Sequence, residues 1–125
     1  MPVRTQHDDR DELFHQQALV LKALANASRL KLVDRLVRGP CAAGALTALV
    51  DSDRTTVSKH LGVLRAHGIV RDHREAGVVV YQLRTPCVAN VFACTRKMLE
   101  ERAVPPRSRR SALRTEPTSS ETNPA

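Results

Sequence analysis

The hydrophobic period of this chain changes twice along its length. Up to His67 the apolar residues recur every three or four positions. From Ile69 to Leu83 two short segments read as strands, and from Pro86 the helical spacing returns. A period near 3.6 lays apolar residues on one face of a helix, whereas a period of 2 lays them on one face of a strand. The chain is therefore expected to be mainly α with a β-hairpin, an α+β fold.

The elements follow in order. A first helix is expected over Glu12–Leu24, with Leu13, Gln17, Val20, Leu21 and Leu24 at helical spacing. Its apolar residues cover more than one stripe (Leu13, Phe14, Ala18, Leu19, Val20, Leu21), so it needs two partners, and one can be another subunit. A second helix, Ala27–Arg38, is expected to bury Leu30, Val33, Leu36 and Val37 and to stop at Gly39-Pro40. A short third helix covers Ala43–Val50. Asp51-Ser52-Asp53 is a turn that can cap the next helix. That fourth helix, Arg54–His67, is expected to bury Val57, Leu61 and Leu64, with Gly68 as a left-handed cap. Strands Ile69–Arg74 and Val78–Leu83 flank a turn at Glu75-Ala76-Gly77. Thr85-Pro86 opens a last helix, Pro86–Arg102, with an inner stripe of Val88, Val91, Phe92, Thr95, Met98 and Leu99.

A short helix, a tight turn and a second helix make a helix-turn-helix, and a following hairpin is the usual wing. The sequence thus reads as a winged helix-turn-helix over residues 12–102. Residues 1–11 read as a flexible N-terminal arm. Residues 103–125 read as a disordered tail: from Val104 on they hold four of the seven prolines, and four Arg against two Glu. Such a composition cannot bury enough apolar surface to offset its ordering entropy.

Charge points the same way. Twenty Lys and Arg against thirteen Asp and Glu give +7 in a chain of 125 residues, and the isoelectric point is near 10.2. Clustered cations on that scale are the footprint of a nucleic-acid binder. Aromatic residues are scarce (Phe14, Phe92, Tyr81, no Trp). Single-strand and RNA modules stack bases on aromatics, so duplex DNA is the expected partner. One domain's length, no long apolar run and a polar N-terminus argue against a multidomain enzyme, a membrane partner and a secreted protein; the expected compartment is the cytoplasm. No Gly-rich phosphate loop or nucleophile elbow occurs, so no enzyme and no small-molecule substrate is expected.

The N-terminal end of the fourth helix carries the candidate DNA contacts. Ser52 lies in the turn, and Arg54, Thr55, Thr56, Ser58 and Lys59 follow, largely outward. Helices of this kind present their first residues to base edges in the major groove. Arg54 can read guanine, Thr55 and Ser58 can bond bases or phosphates, and Lys59 suits phosphate. His60, beside Lys59, reads as a phosphate or base contact, since no histidine pair has a ligand spacing. The hairpin adds Arg71, His73 and Arg74, expected to position the protein on the backbone, with Asp72 and Glu75 diluting their charge.

Two stretches, LKALANASRLKLVDRLVRG and LVDSDRTTVSKHLGVLRAHGIVRDHREAGVVVYQL, resemble the ArsR/SmtB family of winged-helix repressors. The likeness covers about Glu12 to Arg102. It implies a homodimer through the first and last helices, binding to an inverted-repeat operator in double-stranded DNA, and release by a metal or other inducer. Two-fold symmetry would set two recognition helices about 34 Å apart, one DNA turn. Asp53 departs from the family, which often has Gln there; an acid facing DNA is repulsive, so it is expected to cap the helix.

The inducer is where family members differ. The last helix, PCVANVFACTRKMLEER, has neither His nor Asp, which argues against the family's carboxylate–histidine zinc site. The GELCVCDL box of arsenite sensors reads GPCAAGAL here, with Ala42 and Gly44 in place of its cysteines. What remains is Cys41, Cys87 and Cys94. Soft thiolates select soft ions, and three suit trigonal As(III). Residues seven apart lie about 10.5 Å apart along a helix, while metal–sulfur bonds are about 2.3 Å. Joint ligation by Cys87 and Cys94 therefore needs the turn at Pro86 to be unwound; otherwise Cys41 and Cys87 form a dithiol and Cys94 packs. The expected inducer is arsenite or antimonite, with no obligatory cofactor. A thiol redox or persulfide switch and an inducer-independent architectural DNA-binding protein are the alternatives.

Overall fold

A computed structural model describes residues 6–102 of the chain. Their contacts divide the chain into two compact units, Met1–Asn90 and Val91–Ala125. The expected tail, 103–125, lies outside the described residues.

In the first unit, helix α1 spans Gln6–Leu24 and α2 Ala27–Val37; a two-residue strand β1 (Cys41–Ala42) leads into α3 (Ala43–Leu49) and α4 (Arg54–Ala66); β2 (Val70–Glu75) and β3 (Val78–Leu83) form the hairpin. A single 3₁₀ turn at Pro86–Val88 precedes α5 (Ala89–Arg102), which runs on into the second unit. α1 starts at Gln6, so residues 6–11, expected as part of an arm, are helical. Asp8 and Asp9 sit in its first turn, where acidic side chains favour the positive end of the helix dipole.

The helix ends follow their sequence signals. Asn26 caps α2, its Oδ1 accepting from the N–H of Ser28 and of Arg29 at 3.0 and 3.1 Å. Gly68, at φ +74°, ends α4 in the left-handed conformation that a Cβ disfavours. Around it the N–H of Ile69 bonds Leu64 O at 2.9 Å and that of Gly68 bonds Arg65 O at 3.0 Å. These paired bonds satisfy the last carbonyls of the helix, and Ile69 and Leu64 are both buried beside them.

The core gathers Leu32, Val33 and Leu36 of α2, Leu46 of α3, Val50 of the following turn, Val57, Leu61 and Leu64 of α4, Ile69, and Val70 of β2, with Ala23 and Leu24 from the end of α1. No polar or charged side chain is buried among the described residues. The expected face of α4 is the one observed. That of α2 is corrected by one position: Leu32 is buried, Leu30 is half-buried and Val37 is exposed. In α3, Leu46 alone is buried, while Ala45 and Leu49 are exposed.

The sheet has three strands, not two, in the order β1-β3-β2, all antiparallel. Glu75 pairs with Val78, so the turn is the two residues Ala76-Gly77 and not three. Both have positive φ, 52° and 81°. That is the turn whose twist matches a two-residue hairpin. It sets the register: Arg74 opposite Val79, His73 opposite Val80, Asp72 opposite Tyr81 and Arg71 opposite Gln82. Cys41 pairs with Tyr81 on the other edge of β3.

The last helix is also corrected at its start. Its first turn is 3₁₀, and Thr85 makes no side-chain cap bond. Taken by itself, α5 buries none of its residues; Met98 and Leu99 are exposed, and Thr95 Oγ1 donates to Val91 O at 2.7 Å.

Candidate nucleic-acid interface

The candidate recognition helix is α4. Its first turn is organised by Asp53, an N-cap whose carboxylate accepts from the N–H of Thr56 at 2.8 Å. That bond holds the Asp53 pKa below the usual aspartate value of 3.8. The acid therefore caps the helix, as its unusual position suggested, while Arg54, Thr55, Ser58 and Lys59 project outward and are exposed. Ser52 and Thr56 are half-buried.

These exposed residues line one wall of an open groove of about 490 Å³. Ala43, Gly44 and Thr47 of α3 and Val79 and Tyr81 of β3 line it as well. The Thr47 hydroxyl donates to Ala43 O at 3.1 Å. Burial and the nearby Asp72 carboxylate push the Tyr81 phenol above its ordinary value of 10.0, so it stays a protonated hydrogen-bond donor at neutral pH.

The wing residues divide between two faces, because successive strand residues point to opposite sides. Arg74 shares the face of its partner Val79, the groove face. Arg71 and His73 lie on the other. Both wing acids are engaged: Asp72 Oδ2 takes Arg65 Nη1 of α4 at 3.1 Å, and Glu75 Oε1 lies 3.2 Å from His73 Nε2. The acidic dilution expected from Asp72 is thus spent on tying β2 to the recognition helix.

His60, expected as a phosphate or base contact, is half-buried, and its Nδ1 accepts from Arg29 Nε of α2 at 3.2 Å. Residues missed by the sequence reading are Ala43, Gly44, Thr47, Val79 and Tyr81. A two-residue turn would have revealed the last two, since it alone places Val79 and Tyr81 on the face of Arg74.

Comparison with known proteins now bears on this geometry. A helix-turn-helix domain model matches residues 24–73. The solution structure of the homodimeric winged helix-turn-helix DNA-binding domain (fragment 1–100) of a possible ArsR-family transcriptional regulator from Mycobacterium bovis superposes with a TM-score of 0.69 at 32% identity, covering 82% of this chain and 94% of that one. The biofilm growth-associated repressor of Xylella fastidiosa is 36% identical over 76 residues, 61% of this chain and 67% of the repressor. The chain belongs to the ArsR family of winged helix-turn-helix transcriptional regulators. An HTH-type transcriptional regulator of Mycobacterium tuberculosis is 34% identical over 96 residues, 77% of this chain, but the match spans only 42% of that protein. These relatives are regulators and not enzymes, the class expected from the sequence.

The family's inducer chemistry was tested on the donor set. Cys41 is only 6% exposed, on the sheet face it shares with Tyr81, and its thiol lies 3.7 Å from Ala42 O. Cys87, in the 3₁₀ turn, and Cys94, in α5, are exposed, and all three are free thiols. No group of three or more His, Cys, Asp or Glu that could hold a metal ion exists among the described residues. No helix among the described residues is long and apolar enough to cross a membrane.

Proposed function

We propose that this ArsR-family chain is a homodimeric transcriptional repressor that binds double-stranded operator DNA through α4 and the groove face of the wing. The observation that carries the reading is the groove itself. Asp53 caps the first turn of α4, which presents Arg54, Thr55, Ser58 and Lys59, and Arg74 lies on the strand face of Val79, which also lines the groove. Arg54 is placed to read guanine, with Thr55 and Ser58 beside it, while Lys59 and Arg74 suit phosphate. One such helix spans only a few base pairs, so a specific site needs two.

The dimer is assigned to α1 and α5. Leu13, Phe14 and Leu21 of α1 are 54%, 56% and 57% exposed. An apolar surface of this kind on a small domain marks an interaction site. Fluorescence anisotropy of the reduced protein on duplex from upstream of its own gene tests the reading. Tight, sequence-selective binding at a stoichiometry of two chains per duplex is expected; equal affinity for unrelated duplex overturns it in favour of an architectural DNA protein.

Release is assigned to a thiophilic agent acting on the exposed thiols Cys87 and Cys94, with arsenite or antimonite as first choice. A redox or persulfide donor is the second reading, favoured by the exposure of both free thiols. Titrating arsenite, antimonite and a persulfide donor against Cys87→Ser and Cys94→Ser separates them. Release that survives both substitutions refutes the thiol reading.

A further inference from the structure

One side chain joins the three helices around the recognition element. Arg29 of α2 donates through Nε to His60 Nδ1 on α4 at 3.2 Å and through Nη1 to the Ala23 carbonyl of α1 at 3.1 Å. Its own N–H is held by the Asn26 cap at 3.1 Å, which fixes where the guanidinium fork starts. His60 directly precedes the buried Leu61 and lies on the half-buried flank of α4, one position after Lys59 of the groove wall.

The direction of the Arg29 bond sets the state of the imidazole. A guanidinium cannot accept, so Nδ1 must. An imidazole accepting at Nδ1 carries its proton on Nε2 and is neutral. A second proton on Nδ1 would remove the acceptor and bring two cations face to face. Lys22 of α1 and His67 of α4 line a small cavity together with Arg29, Lys59 is the neighbour along α4, and Asp72 of β2 is held by Arg65.

We propose that Arg29 and His60 are positioning residues that hold α4 in its DNA-reading orientation only while His60 is neutral, so that a proton on His60 Nδ1 lowers operator affinity. The proposal rests on the DNA-binding reading above. Its sign is diagnostic. A histidine that merely touched phosphate would gain charge at low pH and strengthen binding; a histidine that must accept from Arg29 weakens it.

The test uses the full chain on duplex from upstream of its own gene, at about pH 7.5 and about pH 5.5 and constant ionic strength. Wild type is compared with His60→Asn, whose Oδ1 can stand where Nδ1 does without titrating, and with His60→Ala. Wild type is expected to lose about tenfold in affinity on acidification, on the scale of one hydrogen bond to a charged group. His60→Asn is expected to stay within about twofold of the neutral wild-type value at both pH values, and His60→Ala to bind weakly at both. Wild type and His60→Asn differ at this one position, so the comparison isolates His60. Tighter wild-type binding at low pH, or a His60→Asn profile that follows wild type, overturns the proposal. Long-range ¹H–¹⁵N correlation spectra of the imidazoles give an arm that needs no DNA: the Nε2–H tautomer is expected at neutral pH, and the Nδ1–H tautomer for His60 overturns the clamp. No operator binding at pH 7.5 alongside the Nε2–H tautomer overturns the DNA-binding reading instead.

Discussion

The number of phosphates this face can neutralise is readable from the structure, and salt titration measures it. Each protomer offers two exposed cations suited to phosphate on the groove side, Lys59 and Arg74, beside Arg54, which is placed to read guanine. Doubled in the proposed dimer, the two make about four phosphate contacts, and each contributes about −0.9 to the slope of log K against log salt. The expected slope is about −3.6, or roughly a 150-fold loss of affinity between about 50 and 200 mM salt. Lys59→Ala removes one contact from each protomer. Its slope should flatten to about −1.8, and the loss over the same salt range should shrink to roughly 12-fold. Arg74→Ala should behave alike. Arg71→Ala is the internal control: it lies on the other face of β2, so its slope should match wild type. Anisotropy titrations at four or five salt concentrations suffice. A Lys59→Ala slope equal to wild type, or a flattening in Arg71→Ala equal to that in Arg74→Ala, would refute the assignment of the groove face.

Three further outcomes are expected. Ala76→Gly should raise stability to urea by about 1 kcal/mol, since Ala76 sits at φ +52°, where a Cβ is strained; an unchanged urea midpoint counts against the turn assignment. In the proposed two-fold interface Phe14→Ala removes one ring, exposed in the single chain, from each half, about 3–6 kcal/mol in all, so sedimentation should show dimer association weakened roughly 100-fold or more. Asp53 has a lowered pKa in the folded chain, so its contribution to stability is present above the ordinary value of 3.8 and is lost as the pH falls below it. Asp53→Asn keeps a capping oxygen without that titration, and its urea midpoint should fall less than that of wild type between about pH 4 and pH 2.5.

Much of this architecture is legible in the sequence, and the reasons differ by element. Gly68 and Asp53 announce the ends of α4 because only a few residue types suit a left-handed cap or a free amide. Val57, Leu61 and Leu64 fix its inner face by spacing alone. The phase of α2 is harder to read: ASRLKLVDRLV offers apolar residues on neighbouring stripes, and only tertiary packing selects Leu32 over Val37. β1 has no local signal, since Cys41-Ala42 becomes a strand only because β3 lies alongside. The candidate DNA face is legible in α4, where charge and helix position coincide. It is illegible in the wing, where one residue of turn length decides which side Arg74 faces. His60 shows the limit of reading by neighbourhood. Beside Lys59 in sequence it looks like a contact, yet a partner 31 residues away claims its nitrogen.

The three-strand order leaves β2 with an unpaired outer edge, along which Arg71, Asp72, His73, Arg74 and Glu75 follow one another. Uninterrupted charge is what keeps such an edge from recruiting a strand of another molecule. The wing is thereby guarded against self-association along the strand that carries Arg74. Variants that neutralise several of them at once would expose a bare β-edge, and a loss of operator binding would then be confounded by aggregation. Single substitutions, checked for monodispersity, keep the two effects apart.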